Sequence, residues 1–70
     1  MSIERIDLRV DLERLAARLT TKQRRVLVLV VQGYTQEEIG DLHGVTQQAV
    51  SRTVLRAADR IKDEIEAQGL

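Results

Sequence analysis

The amino-acid sequence predicts an all-α fold, and three observations support this class. The chain of 70 residues contains no proline and is rich in Leu, Arg, Glu and Gln, which favour helices. Its apolar residues recur at helical spacing, most clearly between Val50 and Ile65. Capping residues and glycines stand where helices would begin and end. A chain of this length is expected to form one domain.

Two capping boxes mark the starts of the second and third predicted helices. In a capping box the hydroxyl of a Ser or Thr at the N-cap accepts a hydrogen bond from the backbone amide three residues later. The side chain of a Glu or Gln at that later position accepts a second hydrogen bond from the N-cap amide. Thr20 and Gln23 have this spacing, and the helix that they begin is predicted to run to about Gln32. Thr35 and Glu38 have it too, and their shorter helix is predicted to end at a glycine turn.

A fourth, long helix is predicted from the N-cap Thr46 to about Ala67. Its apolar residues step by four, three, four and four and form one stripe: Val50, Val54, Ala57, Ile61 and Ile65. In the third helix, Ile39 and Leu42 are predicted to face inward. The second helix is apolar nearly all round, which is typical of a central core helix.

The N-terminal segment has two interpretations. Its leucines from Leu8 to Leu19 form a helical stripe, whereas residues 6–12 alternate between apolar and polar, which is the period of a strand. We favour a helix from about Asp11 to Leu19 and treat residues 1–10 as an arm: a helical extension, an intermolecular strand or a loose segment. In each form it offers apolar surface that one small domain cannot cover, so we expect a homodimer.

Composition excludes several kinds of functional site. There is no cysteine, so disulfides and thiolate metal sites are excluded, and the single histidine, His43, cannot build a metal site alone. We interpret His43 as a partly buried residue with a local hydrogen bond. The chain has no nucleophile–base pair and no glycine-rich phosphate loop, so we expect neither an enzyme nor a bound cofactor.

The sequence carries no membrane or export signal. The longest apolar run, Val26–Val31, has six residues, far fewer than the roughly 20 that span a bilayer. Charges recur from Glu4 to Arg18, so the N-terminus lacks the hydrophobic region of a signal peptide. The expected location is therefore the cytoplasm, with no membrane partner.

The third and fourth predicted helices have the pattern of a helix-turn-helix unit, at about residues 35–57. Gly40 would permit the two helices to approach closely, and Gly44 would turn the chain with a positive φ. The domain that contains this unit is predicted to span residues 11–67. Its expected architecture is a tri-helical core with an additional N-terminal helix or arm.

The outward face of the fourth predicted helix carries polar side chains suited to DNA. With the apolar stripe turned inward, four residues must point outward: Gln47, Gln48, Ser51 and Arg52. The start of the second helix of such a unit enters the major groove, where Gln pairs with adenine and Arg with guanine. The alternative is a merely solvated surface. We favour DNA because the uncharged polar residues fall where base edges would lie.

Positive charge is segregated although the net charge is zero, with 11 basic and 11 acidic residues. One basic cluster lies in the second predicted helix and another in the fourth. The residues that we expect to contact the DNA backbone are Lys22, Arg25, Arg56 and Arg60. The amides at the start of the helix beginning at Gln36 would hold a further phosphate.

Residues distributed along most of the chain also fit one known pattern: Leu19, Gln23, Arg24, Val26, Leu27, Leu29, Gly33, Thr35, Glu38, Ile39, Gly40, Gly44, Val45, Thr46, Val50, Arg56 and Ala57. The pattern is approximately L-P-x-x-Q-R-x-V-L-x-L, then G-x-S-x-x-E-I-A, then L-G-V-S-x-x-T-V-x-x-R-x-x-R-A. On this basis residues 12–65 resemble region 4 of bacterial sigma factors, particularly the extracytoplasmic-function type. They are also similar to the LuxR-type DNA-binding domain.

The resemblance implies a four-helix DNA-binding fold. In sigma factors this region contacts the −35 promoter element and the flap of RNA polymerase. By position, the resemblance assigns the DNA role to Gln36, Thr46, Gln47, Gln48, Ser51, Arg52 and Arg56.

Sigma factors also carry a separate region 2, which melts the promoter, and nothing in this sequence resembles it. A chain that starts at Met1 and carries region 4 alone is expected to be a small regulator of the kind that phages and mobile elements encode, unless it is a domain of a longer protein. The leading hypothesis is a sequence-specific double-stranded DNA-binding transcription regulator, a repressor or an activator, that acts as a homodimer.

Two alternatives stay open. The first is an adaptor that mimics region 4 and binds RNA polymerase or a sigma factor, with the acidic patch of Glu37, Glu38 and Asp41 and the N-terminal arm as its surfaces. The second is a helix-turn-helix subunit of a phage DNA-packaging machine, which would form a large ring.

Overall fold

The computed structural model describes residues 10–69, which contain four helices and no strand. The helices are α1 (Leu12–Ala17), α2 (Thr21–Val31), α3 (Gln36–His43) and α4 (Gln47–Ala67). The predicted all-α class is therefore confirmed. None of these four helices combines the length and the apolar composition needed to cross a membrane.

Helix α1 is shorter than predicted. Asp11 is its N-cap, since the Asp11 carboxylate accepts a hydrogen bond from the Arg14 amide at 3.2 Å. Leu19 lies beyond the end of α1, yet it is buried in the core. The N-terminal arm predicted at residues 1–10 lies outside the described residues except for Val10.

Both predicted capping boxes are confirmed. The Thr20 hydroxyl accepts from the Gln23 amide at 3.1 Å, and the Gln23 side chain accepts from the Thr20 amide at 3.0 Å. The corresponding distances for Thr35 and Glu38 are 3.1 Å and 2.8 Å. Each box satisfies amides that the first helical turn leaves unpaired, so it fixes where α2 and α3 begin.

The centre of the core consists of one residue from each of three helices. Val26 of α2, Ile39 of α3 and Val50 of α4 are almost completely buried and contact one another. Three partly buried side chains pack against this cluster: Leu29, Val45 and Val54. Because a single cluster joins α2, α3 and α4, it sets the orientation of α4 relative to the other two helices.

Gly40 allows α3 to approach the start of α4, as the sequence predicted. A Cβ atom at Gly40 would lie 2.7 Å from the Val45 carbonyl oxygen and 3.4 Å from the Gln47 amide nitrogen. The Val45 amide donates to the Gly40 carbonyl at 2.9 Å, which closes the turn. Gly44 has a φ of 68°, and this left-handed conformation is the predicted one.

Replacing Gly40 with alanine is expected to destabilise the fold by about 1–3 kcal/mol, because the new methyl group meets a backbone oxygen that cannot rotate away. The better helix propensity of alanine offsets roughly 0.5–1 kcal/mol of this cost. Urea denaturation followed by circular dichroism measures the change. Asp41→Ala, at the next and exposed position of α3, is the control. Equal midpoints for the two variants would contradict the close approach.

Three predictions of burial are wrong. Helix α2 is not buried all round, since Val28 is exposed and Val31 is 85% exposed. Leu42 is 61% exposed and His43 is also exposed. In α3 the reason is that the buried face is narrow and consists of Ile39 and its neighbour Gly40. Leu42 lies beside Ile39 on the side away from Gly40, where it faces solvent.

A buried carboxylate joins α1 to the C-terminal half of α4. Glu64 is only 4% exposed, and its two carboxylate oxygens lie 3.5 Å from Arg14 Nε and 3.6 Å from Arg18 Nε. The side-chain amide of Gln68 donates a hydrogen bond to the Glu64 carboxylate at 2.9 Å, and its oxygen accepts one from the Asp11 backbone N–H at 2.8 Å. The sequence analysis missed this cluster, although Glu64 follows Ala57 and Ile61 of the apolar stripe by seven and three residues, which places it on the same side of α4.

Candidate nucleic-acid interface

The start of α4 differs from the start of α3 in its charge. Thr46 is its N-cap, and the Thr46 hydroxyl accepts from the Ala49 amide at 3.1 Å. The first turn of α4 carries no acidic residue, whereas the first turn of α3 carries Glu37 and Glu38. The positive end of the α4 dipole is therefore not offset by a carboxylate in the first turn of α4. A helix end of this kind favours the negative charge of a DNA backbone.

The outer face of α4 carries the predicted polar residues. Gln47, Gln48 and Arg52 are exposed, and Ser51 is half-buried. Gln48, Ser51 and Arg52 are spaced at i, i+3 and i+4, so they are neighbours on one side of the helix. We call these three residues the base-contact stripe, because base contact is the role that the sequence predicts for them. Thr53 lies on the other side, buried, with its hydroxyl donating to the Ala49 carbonyl at 3.0 Å.

The predicted phosphate contacts come from two helices. Lys22 and Arg25 are exposed in the first half of α2. Arg56 is exposed on α4, one turn beyond Arg52. Arg56 lines an open groove between α1 and α4 whose other residues are Arg18, Asp59, Arg60 and Asp63. The two aspartates reduce the positive charge in this groove.

Arg24 and Arg60, the second of which was an expected phosphate contact, make hydrogen bonds within the fold. Arg24 donates from Nη1 to the carbonyls of Ala16 and Leu19, both at 2.9 Å, and so satisfies acceptors at the C-terminal end of α1. Arg60 donates to the Arg18 carbonyl at 3.3 Å. Unpaired carbonyls at a helix end attract basic side chains, a signal that the sequence analysis did not use for Arg24.

The start of α3 is less suited to a phosphate than the sequence suggested. Gln36 is half-buried there, and Glu37 and Glu38 follow in the same turn. The pKa of the Glu38 carboxyl is lowered, chiefly by the hydrogen bond from the Thr35 backbone N–H and also by the Thr35 hydroxyl. Glu38 therefore stays ionised to lower pH than a free glutamate. A phosphate at Gln36 would lie beside these two carboxylates.

Comparison with known proteins agrees with this geometry. The sequence profile of the family described as "Sigma-70, region 4" matches residues 9–61, which include α1, α2, α3 and most of α4. No curated protein and no solved structure matches the chain. Because the profile covers more than half of the chain, the chain belongs to the sigma-70 region 4 family, whose members are DNA-binding helix-turn-helix domains.

Proposed function

We propose that this protein is a sequence-specific double-stranded DNA-binding transcription regulator whose helix α4 lies with its N-terminal half in the major groove. One observation carries the proposal: the first two turns of α4 present uncharged polar side chains and one arginine to solvent, while the opposite side is fixed in the core by Val50. Membership of a DNA-binding family supports the general class, and the stripe supports the sequence specificity.

Each outward residue has a distinct role in this proposal. The amides of Gln47 and Gln48 match the donor and acceptor pair that adenine shows in the major groove, and Arg52 matches guanine. Ser51 and Thr46 supply hydroxyls for a base edge or a phosphate. The backbone contacts that set the register of the domain come from Lys22, Arg25 and Arg56.

The protein is further proposed to bind as a homodimer. A single short recognition helix contacts few base pairs, whereas two copies contact two half-sites about one helical turn apart. Exposed apolar side chains that a second copy would cover support this proposal: Leu12, Val28 and Val31. Sedimentation equilibrium with and without a DNA duplex measures the number of copies.

Selection from a random pool of duplex DNA at near-physiological salt tests the function. Enrichment of one motif is expected, and a palindromic motif would indicate a dimer. The Arg52→Ala variant, carried through the same selection, should enrich the motif with relaxed preference at one position. A pool that stays random with the unmodified protein would contradict sequence-specific binding.

Replacing Lys22 with alanine is expected to weaken binding to all duplexes equally. Loss of one phosphate contact should reduce the slope of log K against log salt by about 0.9. Folding should be unaffected, because Lys22 lies in the first turn of α2, where the helix dipole disfavours a positive charge. Titrations at several salt concentrations measure the slope, with Lys62→Ala as the control. A change of base preference in Lys22→Ala would contradict its role as a phosphate contact.

A second candidate function is an adaptor for RNA polymerase. Region 4 domains bind the polymerase core as well as DNA. Here the exposed apolar residues Val28, Val31 and Leu42 and the acidic first turn of α3 favour a protein partner. If selection enriches no motif and the protein binds purified polymerase core, the adaptor is the better account.

A further inference from the structure

Leu55 extends the base-contact stripe of α4. Its side chain is 63% exposed, and it follows Gln48, Ser51 and Arg52 by seven, four and three residues. Residues at these separations lie on the same side of a helix. Leu55 is therefore an exposed apolar residue in line with three polar ones, on the surface that is proposed to face DNA.

The length of the extended stripe fits the major groove. From Gln48 to Leu55 the helix rises roughly 10 Å, and the groove is about 12 Å wide. In homeodomains the positions of the recognition helix that contact bases have the same spacing of i, i+3, i+4 and i+7. One turn beyond Leu55 stands Asp59, an exposed carboxylate that phosphates would repel, so the stripe ends at Leu55.

The chemistry of leucine selects one base. Its side chain has no donor and no acceptor, so against guanine, cytosine or adenine it would remove water from polar groups without replacing their hydrogen bonds. The only apolar group that base edges display in the major groove is the 5-methyl group of thymine. We propose that Leu55 is a specificity-determining residue that packs against this methyl group, an inference that rests on the proposed function.

The other exposed apolar side chains do not share this placement. Leu12 belongs to α1, Leu42 belongs to α3, Tyr34 lies between α2 and α3, and the other three belong to α2: Val28, Val30 and Val31. Among residues 10–69, Leu55 is the one exposed large apolar residue on α4, and it is in register with residues proposed to contact bases. Leu42 is exposed to nearly the same extent, 61%, and therefore provides a matched control.

Deoxyuridine substitution tests the proposal, since it removes the methyl group of thymine and nothing else. Each thymine in the selected DNA site is replaced in turn, and affinities are measured for the unmodified protein, Leu55→Ala and Leu42→Ala. One replacement per half-site is expected to weaken the unmodified protein and Leu42→Ala about threefold to fivefold. Leu55→Ala should bind the duplex with thymine and the duplex with deoxyuridine equally well, and it should keep its base preferences at the other positions. Alanine is a good helix former, so this variant should fold.

The outcomes separate the inference from the function on which it rests. If selection yields a site but every replacement affects the unmodified protein and Leu55→Ala equally, the contact with thymine is wrong and sequence-specific binding stands. If Leu55→Ala instead loses binding to polymerase core or to a second copy, Leu55 belongs to a protein interface. If no site is selected, the proposed function fails, and the role of Leu55 fails with it.

Discussion

Replacing Ile39 with alanine is expected to remove about 2–5 kcal/mol from the free energy of unfolding. Ile39 is completely buried between Val26 and Val50, so its truncation leaves a cavity at the point where three helices meet. A domain of 70 residues has only roughly 4–10 kcal/mol of stability in total. The variant should therefore lose about half of the stability of the domain and unfold at a markedly lower temperature.

Thermal and urea denaturation followed by circular dichroism measure this effect. Leu42→Ala is the control, because it removes a similar volume from the same helix at an exposed position. That change should cost less than about 0.5 kcal/mol. Similar losses for the two variants would mean that Ile39 is not at the centre of the core.

Reversing the charge at Arg52 is expected to abolish specific binding. Arg52→Glu loses a bidentate contact with guanine, worth about 1–3 kcal/mol, and places a carboxylate among phosphates, where repulsion costs several kcal/mol. A loss of at least about 3 kcal/mol corresponds to a decrease in affinity of roughly 100-fold or more. Fluorescence anisotropy with the selected duplex measures the affinity. The affinity of Arg52→Ala should lie between those of the unmodified protein and Arg52→Glu.

Lys62→Glu is the matched control for this reversal. It makes the same change of charge on the same helix, ten residues further on, at an exposed position. The helix rises 1.5 Å per residue, so Lys62 lies roughly 15 Å from Arg52 along the axis and outside the proposed contact. Equal losses for the two reversals would point to a general electrostatic effect and against a role for Arg52 in base contact.

The starts of α2, α3 and α4 were predictable because the groups that fix them are close in sequence. The hydroxyls of Thr20 and Thr35 bind amides three residues away, and Gly44 takes its conformation from its own lack of a side chain. Such interactions are decided before any tertiary packing forms. The outward direction of Gln48 and Arg52 followed in the same way, from the period of a single helix.

Burial was predicted less well, because it depends on which helix covers which face. The apolar pattern of α2 could not show that Val28 and Val31 lack a covering helix. Nor could composition show that α1 would enclose Glu64, since a glutamate near a helix end is ordinarily a surface residue. The exposure of Leu55 was missed for the same reason, because a leucine is ordinarily assigned to the core.

The two sides of α4 can change independently over evolutionary time. Val50 and Ala57 hold the helix in the core, whereas Gln47, Gln48 and Arg52 project away from it. Substitutions at exposed positions usually alter stability by less than about 0.5 kcal/mol. In the proposed function, a few outward substitutions would therefore change the base preference of the scaffold without loss of its fold, and paralogues could diverge in their DNA sites while keeping one architecture.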